Sequence, residues 1–138
     1  MKQLHRTLIV VALFSFAASF ARADETPKIN DRGDDEKKFA DKLATAIVRE
    51  ARTSVKTVSL DDFKKKTPKE GRTEWILTAD YKGAVTNRTY TANIVVLLDT
   101  SDKANWEVLR IEFDDNNKNP VSWNRKNVEE LRKKLNRK

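Results

Sequence analysis

The sequence predicts an α+β domain in which an N-terminal amphipathic helix packs on an antiparallel sheet of three or four strands, followed by a short basic helix. Three observations predict this fold. Apolar residues recur at helical spacing over residues 35–54, three strand-like runs lie between residues 73 and 114, and a second helical pattern covers residues 125–137. The connections between the runs are short and rich in turn residues, which favours an antiparallel meander.

The first helix is predicted over residues 35–54 from one apolar face, made of Phe39, Leu43, Ala46, Ile47 and Ala51. The acidic residues 34–36 favour a helix start, because negative charge is stabilised near the N-terminus of a helix. Residues 55–60 alternate and are β-branched, which fits either a short strand or the frayed end of the helix. Residues 61–72 contain a proline and a glycine and are predicted to form a loop that Phe63 anchors to the core.

The three predicted strands cover residues 73–82, 88–99 and 105–114. In the third strand the parity of the apolar side chains switches between Val108 and Leu109, which predicts a β-bulge. The predicted core combines one face of the first helix with one face of the sheet. Its members are Phe39, Leu43, Ile47, Trp75, Leu77, Tyr90, Ile94, Val96, Leu98, Leu109, Ile111 and Phe113.

The last helix is predicted from a narrow apolar stripe formed by Val128, Leu131 and Leu135. Asn127, followed three residues later by Glu130, matches a capping box at its start. Residues 24–34 are polar and have no apolar period, so they are predicted to form a disordered leader. Residues 35–138 are therefore expected to form a single domain, with residues 124–138 as its basic C-terminal helix.

The order of these elements, one long helix followed by an antiparallel meander, resembles the cystatin-like and NTF2-like architectures. The resemblance covers roughly residues 35–114. It concerns the order of elements alone, because no motif of either family is present. It therefore implies a fold and assigns no role to any residue, since one fold of this kind hosts many functions.

Residues 1–23 have the three parts of a secretory signal peptide. A positively charged start lies within residues 2–6, a short apolar run follows, and Ala21 and Ala23 occupy the two positions that a signal peptidase reads. Cleavage is expected before Asp24. The apolar run is shorter than the roughly 20 residues of a membrane span, so no transmembrane anchor is expected after cleavage. The product is predicted to be secreted or periplasmic.

The residue types that the mature chain lacks exclude several classes of chemistry. The chain has no Cys, and its only His and only Met are His5 and Met1, which lie in the predicted signal peptide. Catalytic triads built on His, thiol nucleophiles, and zinc or haem sites with His or Cys ligands are therefore excluded, and no cofactor or metal is expected. The absence of Cys also excludes disulfides and the lipoprotein class, whose acyl group is attached to a cysteine.

Basic residues are concentrated at the C-terminus. Residues 124–138 carry seven basic and two acidic side chains, whereas residues 24–123 carry 18 and 19. A cationic helix can bind a polyanion, because each neutralised phosphate or sulfate releases counterions. The alternative is a solvated helix whose lysines keep the domain soluble. The candidate polyanion-binding residues are Arg125, Lys126, Arg132, Lys133, Lys134, Arg137 and Lys138.

Four further patterns carry weaker predictions. A basic cluster within residues 64–72 is offset by acidic neighbours, and residues 115–119 start like a calcium loop but continue with Pro120 where a glycine is required. Trp75 and Trp106 fit the inward side of the sheet. Trp123 lies in a connector, where it could bind a carbohydrate or pin the last helix. Asn87 begins a sequon for N-glycosylation.

These observations support three functional hypotheses. The first is a non-enzymatic exported module that binds a protein partner or a small ligand in the concavity of the sheet. The second is binding of an anionic polymer or surface through residues 124–138. The third is a small His-free enzyme that uses Tyr81 or Tyr90 with a strand carboxylate of raised pKa. The carboxylates available to it are Asp80, Asp99, Glu107 and Glu112.

Overall fold

The computed structural model describes residues 26–118 and 124–137. It confirms an α+β fold with two α-helices and one four-stranded antiparallel sheet. The elements are α1 (Glu36–Ala51), β1 (Val55–Lys69), β2 (Arg72–Gly83), β3 (Thr89–Asp99), β4 (Glu107–Asp115) and α2 (Arg125–Leu135), with a 3-10 turn at Ile29–Asp31 before α1. The strands form a meander in the order β1-β2-β3-β4. Within the two described stretches, no helix is long and apolar enough to span a membrane.

Helix α1 begins where the acidic run predicts its start. Asp35 is the N-cap, and its carboxylate accepts a hydrogen bond from the backbone N–H of Lys38 at 3.0 Å. The helix ends at Ala51, three residues before the predicted end, and Ser54 then adopts a left-handed conformation with φ of 58°. Its apolar face, which includes Phe39, Leu43 and Ile47, is buried against the sheet.

The prediction of a loop at residues 61–72 is wrong, because β1 runs without interruption over 15 residues to Lys69. Phe63 lies opposite Leu77 of β2 and packs against the core, as expected of an anchor. Beyond Phe63 every residue of β1 is exposed, so this half of the strand shows no apolar alternation. Its consecutive lysines instead suit an edge strand, where charged side chains oppose pairing with another chain. The tight turn to β2 uses Gly71 at a φ of 77°.

Strands β2, β3 and β4 confirm the predicted meander. Leu77 lies opposite Ile94 on β3, which in turn lies opposite Phe113 on β4. The predicted bulge is also confirmed, because Leu98 of β3 pairs with Val108 while the preceding residue pairs with Arg110. The extra residue in β4 is Leu109. The bulge returns the side chains of β4 to the covered face of the sheet.

Most of the predicted core is buried, but its edges are not. Eight of the twelve side chains are buried, and Tyr90, Ile111 and Phe113 pack against the cluster while partly exposed. Leu109, the residue at the bulge, is only half-buried and is not part of the cluster. The eight buried members are Phe39, Leu43, Ile47, Trp75, Leu77, Ile94, Val96 and Leu98.

Residues 26–34 differ from the predicted disordered leader, because they belong to the folded domain. Ile29 is fully buried in the core cluster. The side-chain oxygen of Asn30 accepts a hydrogen bond from the backbone N–H of Trp106 at 2.8 Å. The guanidinium of Arg32 stacks over the Trp106 ring, 3.6 Å from its centroid. Residues 1–23, with the predicted cleavage site at Ala21, Ala23 and Asp24, lie outside the described residues.

Candidate functional site

Helix α2 is fixed against the domain at both of its ends. Its stripe of Val128, Leu131 and Leu135 is buried, as the sequence predicts. At its start, the backbone N–H of Asn124 donates to the carbonyl of Ala51 at 2.9 Å, so the beginning of α2 meets the end of α1. The N-cap is Asn124 rather than the predicted Asn127: the side-chain oxygen of Asn124 accepts from the Asn127 N–H at 3.2 Å.

The end of α2 is held on the outer edge of β4 by a single side-chain amide. The Asn136 oxygen accepts from the backbone N–H of Val108 at 2.7 Å, and its nitrogen donates to the Val108 carbonyl at 3.0 Å. Asn136 thus pairs with Val108 as a neighbouring strand would. This contact covers part of an edge that would otherwise offer free backbone groups.

Two of the seven predicted basic residues have partners within α2. The guanidinium of Arg132 donates to Glu129 at 2.7 and 2.9 Å and to the carbonyl of Val108 at 3.3 Å. The hydrogen bond with Glu129 raises the pKa of Arg132 and lowers the pKa of Glu129. Lys133 lies 3.9 Å from Glu130, with both side chains more than half exposed. Arg132 is therefore mainly a docking contact of the helix, whereas Lys133 still faces solvent.

Four other predicted cations are exposed and have no carboxylate within ion-pair distance among the described residues: Arg125, Lys126, Lys134 and Arg137. Lys126 and Lys133 are seven residues apart, which places them on one face of α2, and Arg137 follows two residues after the end of the helix. That face lies opposite the buried stripe. Lys138 lies outside the described residues. The structure thus brings five of the seven predicted cations to the solvent side of α2.

The other basic cluster is largely neutralised. Lys64 lies 3.7 Å from Asp62, and Lys65 donates to Glu36 of α1 at 2.9 Å. Arg72 lies 3.1 Å from Asp99. Only Lys66 and Lys69 of this cluster have no such partner among the described residues, and both are exposed. The cluster therefore offers fewer free cations than α2 does.

The most specialised polar cluster is closed to solvent, and the sequence did not reveal it. Arg52, just after α1, forms a two-bond ion pair with Asp115 at the end of β4, at 2.8 and 2.9 Å. It also donates to the carbonyl of Asn117 at 2.7 Å, while the Tyr81 hydroxyl donates to Asp115 at 2.5 Å. The side chains of Arg52 and Asp115 are 6% and 4% exposed. Both Asp115 oxygens are thus engaged, so this residue does not begin a calcium loop.

The pKa shifts in this cluster follow from burial and hydrogen bonding. Burial, together with the hydrogen bond to Asp115, raises the pKa of the Tyr81 hydroxyl well above its usual 10. The hydrogen bond to Asp115 raises the pKa of Arg52. The two raised pKa values favour the positively charged guanidinium of Arg52 and the protonated hydroxyl of Tyr81. A Tyr that ionises only in strong alkali is a poor acid or base at neutral pH.

Two of the strand carboxylates, Asp80 and Asp99, are held by neighbouring hydrogen-bond donors. Asp80 accepts a hydrogen bond from the Thr91 hydroxyl at 2.9 Å. Asp99 lies opposite Glu107, but the Ser101 hydroxyl and backbone N–H hold the pKa of Asp99 below its usual range. A general acid needs a shift in the other direction. Among the described residues, no three Asp, Glu, His or Cys side chains are grouped as a metal site would require.

Two of the three tryptophans are packing residues. Trp75 is fully buried, with its ring centroid 5.1 Å from Phe63 and 6.0 Å from Trp106. Trp106 is covered on one face by Arg32. Neither ring offers a flat platform to a sugar, and Trp123 lies outside the described residues. Asn87 is exposed in the turn between β2 and β3, where the sequon would be accessible.

A groove of about 350 Å³ opens between β4 and the start of α2. Both apolar and charged side chains line it. One of the charged residues, Arg125, is a candidate polyanion-binding residue. The chain segment that connects these two elements, residues 119–123, is not described. The lining residues are Ile111, Glu112, Phe113, Arg125, Val128 and Glu129.

The chain matches no known protein family, and searches of curated proteins and of solved structures found no significant similarity.

Proposed function

We propose that this chain is a non-enzymatic exported binding domain whose ligand is a polyanion held on the solvent side of α2. The observation that carries this proposal is the row of exposed cations on α2 that have no carboxylate partner among the described residues. Lys126, Lys134 and Arg137 belong to it. Each phosphate or sulfate that such a cation neutralises releases counterions, which is the main source of affinity for polyanions.

Two features favour a ligand role over simple solvation of the helix. The acidic side chains of α2 are directed to particular cations, Glu129 to Arg132 and Glu130 to Lys133, which leaves the remaining cations unneutralised. The rest of the mature chain carries a net charge close to zero. The positive potential of the domain is thus concentrated on one surface, which can steer an anionic partner to it.

The alternatives find less support. A small ligand in the concavity of the sheet finds little support, because the helices cover that face of β2 and β3 and side chains such as Trp75 and Ile94 are fully buried there. An enzyme would need an accessible acid or base, whereas the Tyr81 cluster is closed. The proposal of export rests on residues 1–23, which have the pattern of a signal peptide. The likeness to cystatin-like or NTF2-like architectures is a separate proposal, which concerns the order of elements.

Retention on a heparin column tests this proposal. A triple variant, Lys126→Gln, Lys134→Gln and Arg137→Gln, should elute at lower salt than the unmodified protein. The logarithm of the binding constant K decreases linearly with the logarithm of the salt concentration. This slope should become less steep by about two to three, at roughly 0.7–0.9 per lost contact.

The matched control removes three exposed lysines of β1, Lys56→Gln, Lys66→Gln and Lys69→Gln. It makes the same change in net charge away from α2. If both triple variants elute alike, retention reflects overall charge and the proposed site on α2 is wrong.

A further inference from the structure

We infer that Lys38 and Lys42 of α1 complete the polyanion site, so that a linear polyanion lies across both helices. This inference rests on the proposed function of α2 and adds a second helix to it. The two helices cover the same face of the sheet and contact one another. Residues 35–54 were predicted as a core helix alone, and no pattern in the sequence assigned these lysines to a site.

The two helices run antiparallel. Helix α1 begins beside Lys65 of β1 and ends beside Asp115 at the end of β4. Helix α2 begins at the end of α1 and ends beside Val108, at the other end of β4. The contact between Asn124 and Ala51 joins the start of α2 to the end of α1. Thirteen residues further along the chain from Asn124 is Arg137, and thirteen residues back from Ala51 is Lys38. Because each helical residue advances about 1.5 Å, antiparallel packing brings Lys38 to about the level at which α2 ends and Arg137 follows.

The same reasoning places Lys134 near the level of Lys42, because each is nine or ten residues from that contact. Packed helix axes are about 8–10 Å apart, which is less than the combined reach of two lysine side chains. Four cations from two helices thus converge on one stretch of the helical surface.

The acidic residues in the first half of α1 are directed away from this surface. Glu36 pairs with Lys65 of β1 at 2.9 Å. Asp41 accepts from the backbone N–H of Leu60, also in β1, at 3.3 Å. Lys38 and Lys42 are exposed and have no carboxylate within ion-pair distance among the described residues. The charges of α1 are therefore segregated, with the acids toward β1 and the lysines toward solvent.

The ligand class follows from what accompanies the cations. A membrane-binding helix presents apolar side chains beside its cations, whereas the apolar stripe of α2 is buried in the domain. Val85, in the turn after β2, is the one exposed large hydrophobic side chain found among the described residues. The cations are spread over about 16 Å of helix, which suits a chain of sulfate or phosphate groups better than a single anion.

Salt-dependent binding to two soluble probes, heparin and inorganic polyphosphate, tests the inference. The variant Lys38→Gln/Lys42→Gln should make the slope of log K against log salt less steep by about 1.4–1.8, so that if both proteins bind equally at 1 M salt the variant binds about 25- to 60-fold more weakly at 0.1 M. The control Lys66→Gln/Lys69→Gln removes the same charge from the far end of β1 and should leave the slope unchanged. All four lysines are exposed, so circular dichroism should show an unaltered fold for both variants.

Each outcome separates the two proposals. If the α2 triple variant lowers the slope and Lys38→Gln/Lys42→Gln does not, the two-helix site is wrong and the α2 site stands. If neither variant changes the slope, both proposals are wrong. If the control Lys66→Gln/Lys69→Gln reduces the slope as much as Lys38→Gln/Lys42→Gln does, the two-helix site is also wrong. Anionic phospholipid vesicles are a third probe: binding to vesicles without binding to either polymer would replace the linear polyanion by a membrane surface.

Discussion

Arg52 and Asp115 form a buried ion pair through two parallel hydrogen bonds, Nε to Oδ2 at 2.9 Å and Nη2 to Oδ1 at 2.8 Å. The pair joins the end of α1 to the end of β4, 63 residues away along the chain. Tyr81 of β2 adds a hydrogen bond to the same carboxylate. Three elements that meet at this end of the sheet are thus tied together by one polar cluster.

Removing Asp115 should destabilise the domain strongly. Asp115→Ala leaves the Arg52 guanidinium buried without its carboxylate, and breaking a buried pair in this way costs about 3–5 kcal/mol. The matched control is Arg110→Ala, which breaks the pair with Glu112 at 3.0 Å, where both side chains are more than half exposed. An exposed pair contributes about 1 kcal/mol or less. Urea unfolding measures the free energy of unfolding of both variants. A similarly small decrease in Asp115→Ala and Arg110→Ala would contradict a stabilising role for the buried pair.

Tyr81 should make the domain less stable in alkali. Its pKa is raised in the folded state, so above the unfolded value of about 10 the unfolded chain loses this proton while the folded chain keeps it. The unfolded state then binds fewer protons, and stability falls by up to about 1.4 kcal/mol for each pH unit. This loss begins near pH 10 and continues until the folded Tyr81 itself ionises.

The variant Tyr81→Phe isolates this effect. It should cost about 1–2 kcal/mol at neutral pH, because Asp115 loses a hydrogen-bond donor in a buried site. Between pH 9 and 11.5, however, its free energy of unfolding should fall less steeply than that of the unmodified protein. Parallel curves in this range would show that the Tyr81 hydroxyl is not buried as described.

The sequence predicted those elements that bury one regular face. Phe39, Leu43 and Ile47 on α1, and Trp75 and Leu77 on β2, repeat at the period of their element because each contributes to one core. The bulge in β4 was also predictable, since an extra residue shifts the parity of the side chains. The half of β1 beyond Phe63 buries no side chain and so shows no apolar period. Its Pro68, together with Gly71 of the following turn, is typical of a loop.

The polar contacts were not predictable for a different reason. Arg52 and Asp115 are far apart in sequence, and neither stands in a local pattern that signals burial. The candidate cations of α2 could be found because they lie close together in the sequence. Lys38 and Lys42 could not be added to them, because only the antiparallel contact of the helices brings the two sets together.

Ile29 tests whether residues 26–34 belong to the folded domain. It is fully buried, so Ile29→Ala should cost about 2–5 kcal/mol through lost burial and a cavity. The control Val85→Ala shortens a side chain that is 86% exposed and should change stability by about 0.5 kcal/mol or less. Thermal or urea unfolding compares the two, and an unaltered Ile29→Ala protein would restore the predicted disordered leader.

Asn136 should determine how firmly the end of α2 is held on β4. Asn136→Ala removes both hydrogen bonds to Val108 and should cost about 1–3 kcal/mol, because the partly buried N–H of Val108 loses its partner while its carbonyl keeps only the longer bond from Arg132 at 3.3 Å. The Val108 amide should also exchange its hydrogen faster, since local opening of α2 then exposes it. Asn93→Ala is a suitable control, because Asn93 is exposed on β3 and far from α2. If the Val108 amide exchanges equally slowly in both variants, the apolar stripe and the remaining hydrogen bonds of α2 hold the helix, and the position of the proposed cationic surface does not depend on Asn136.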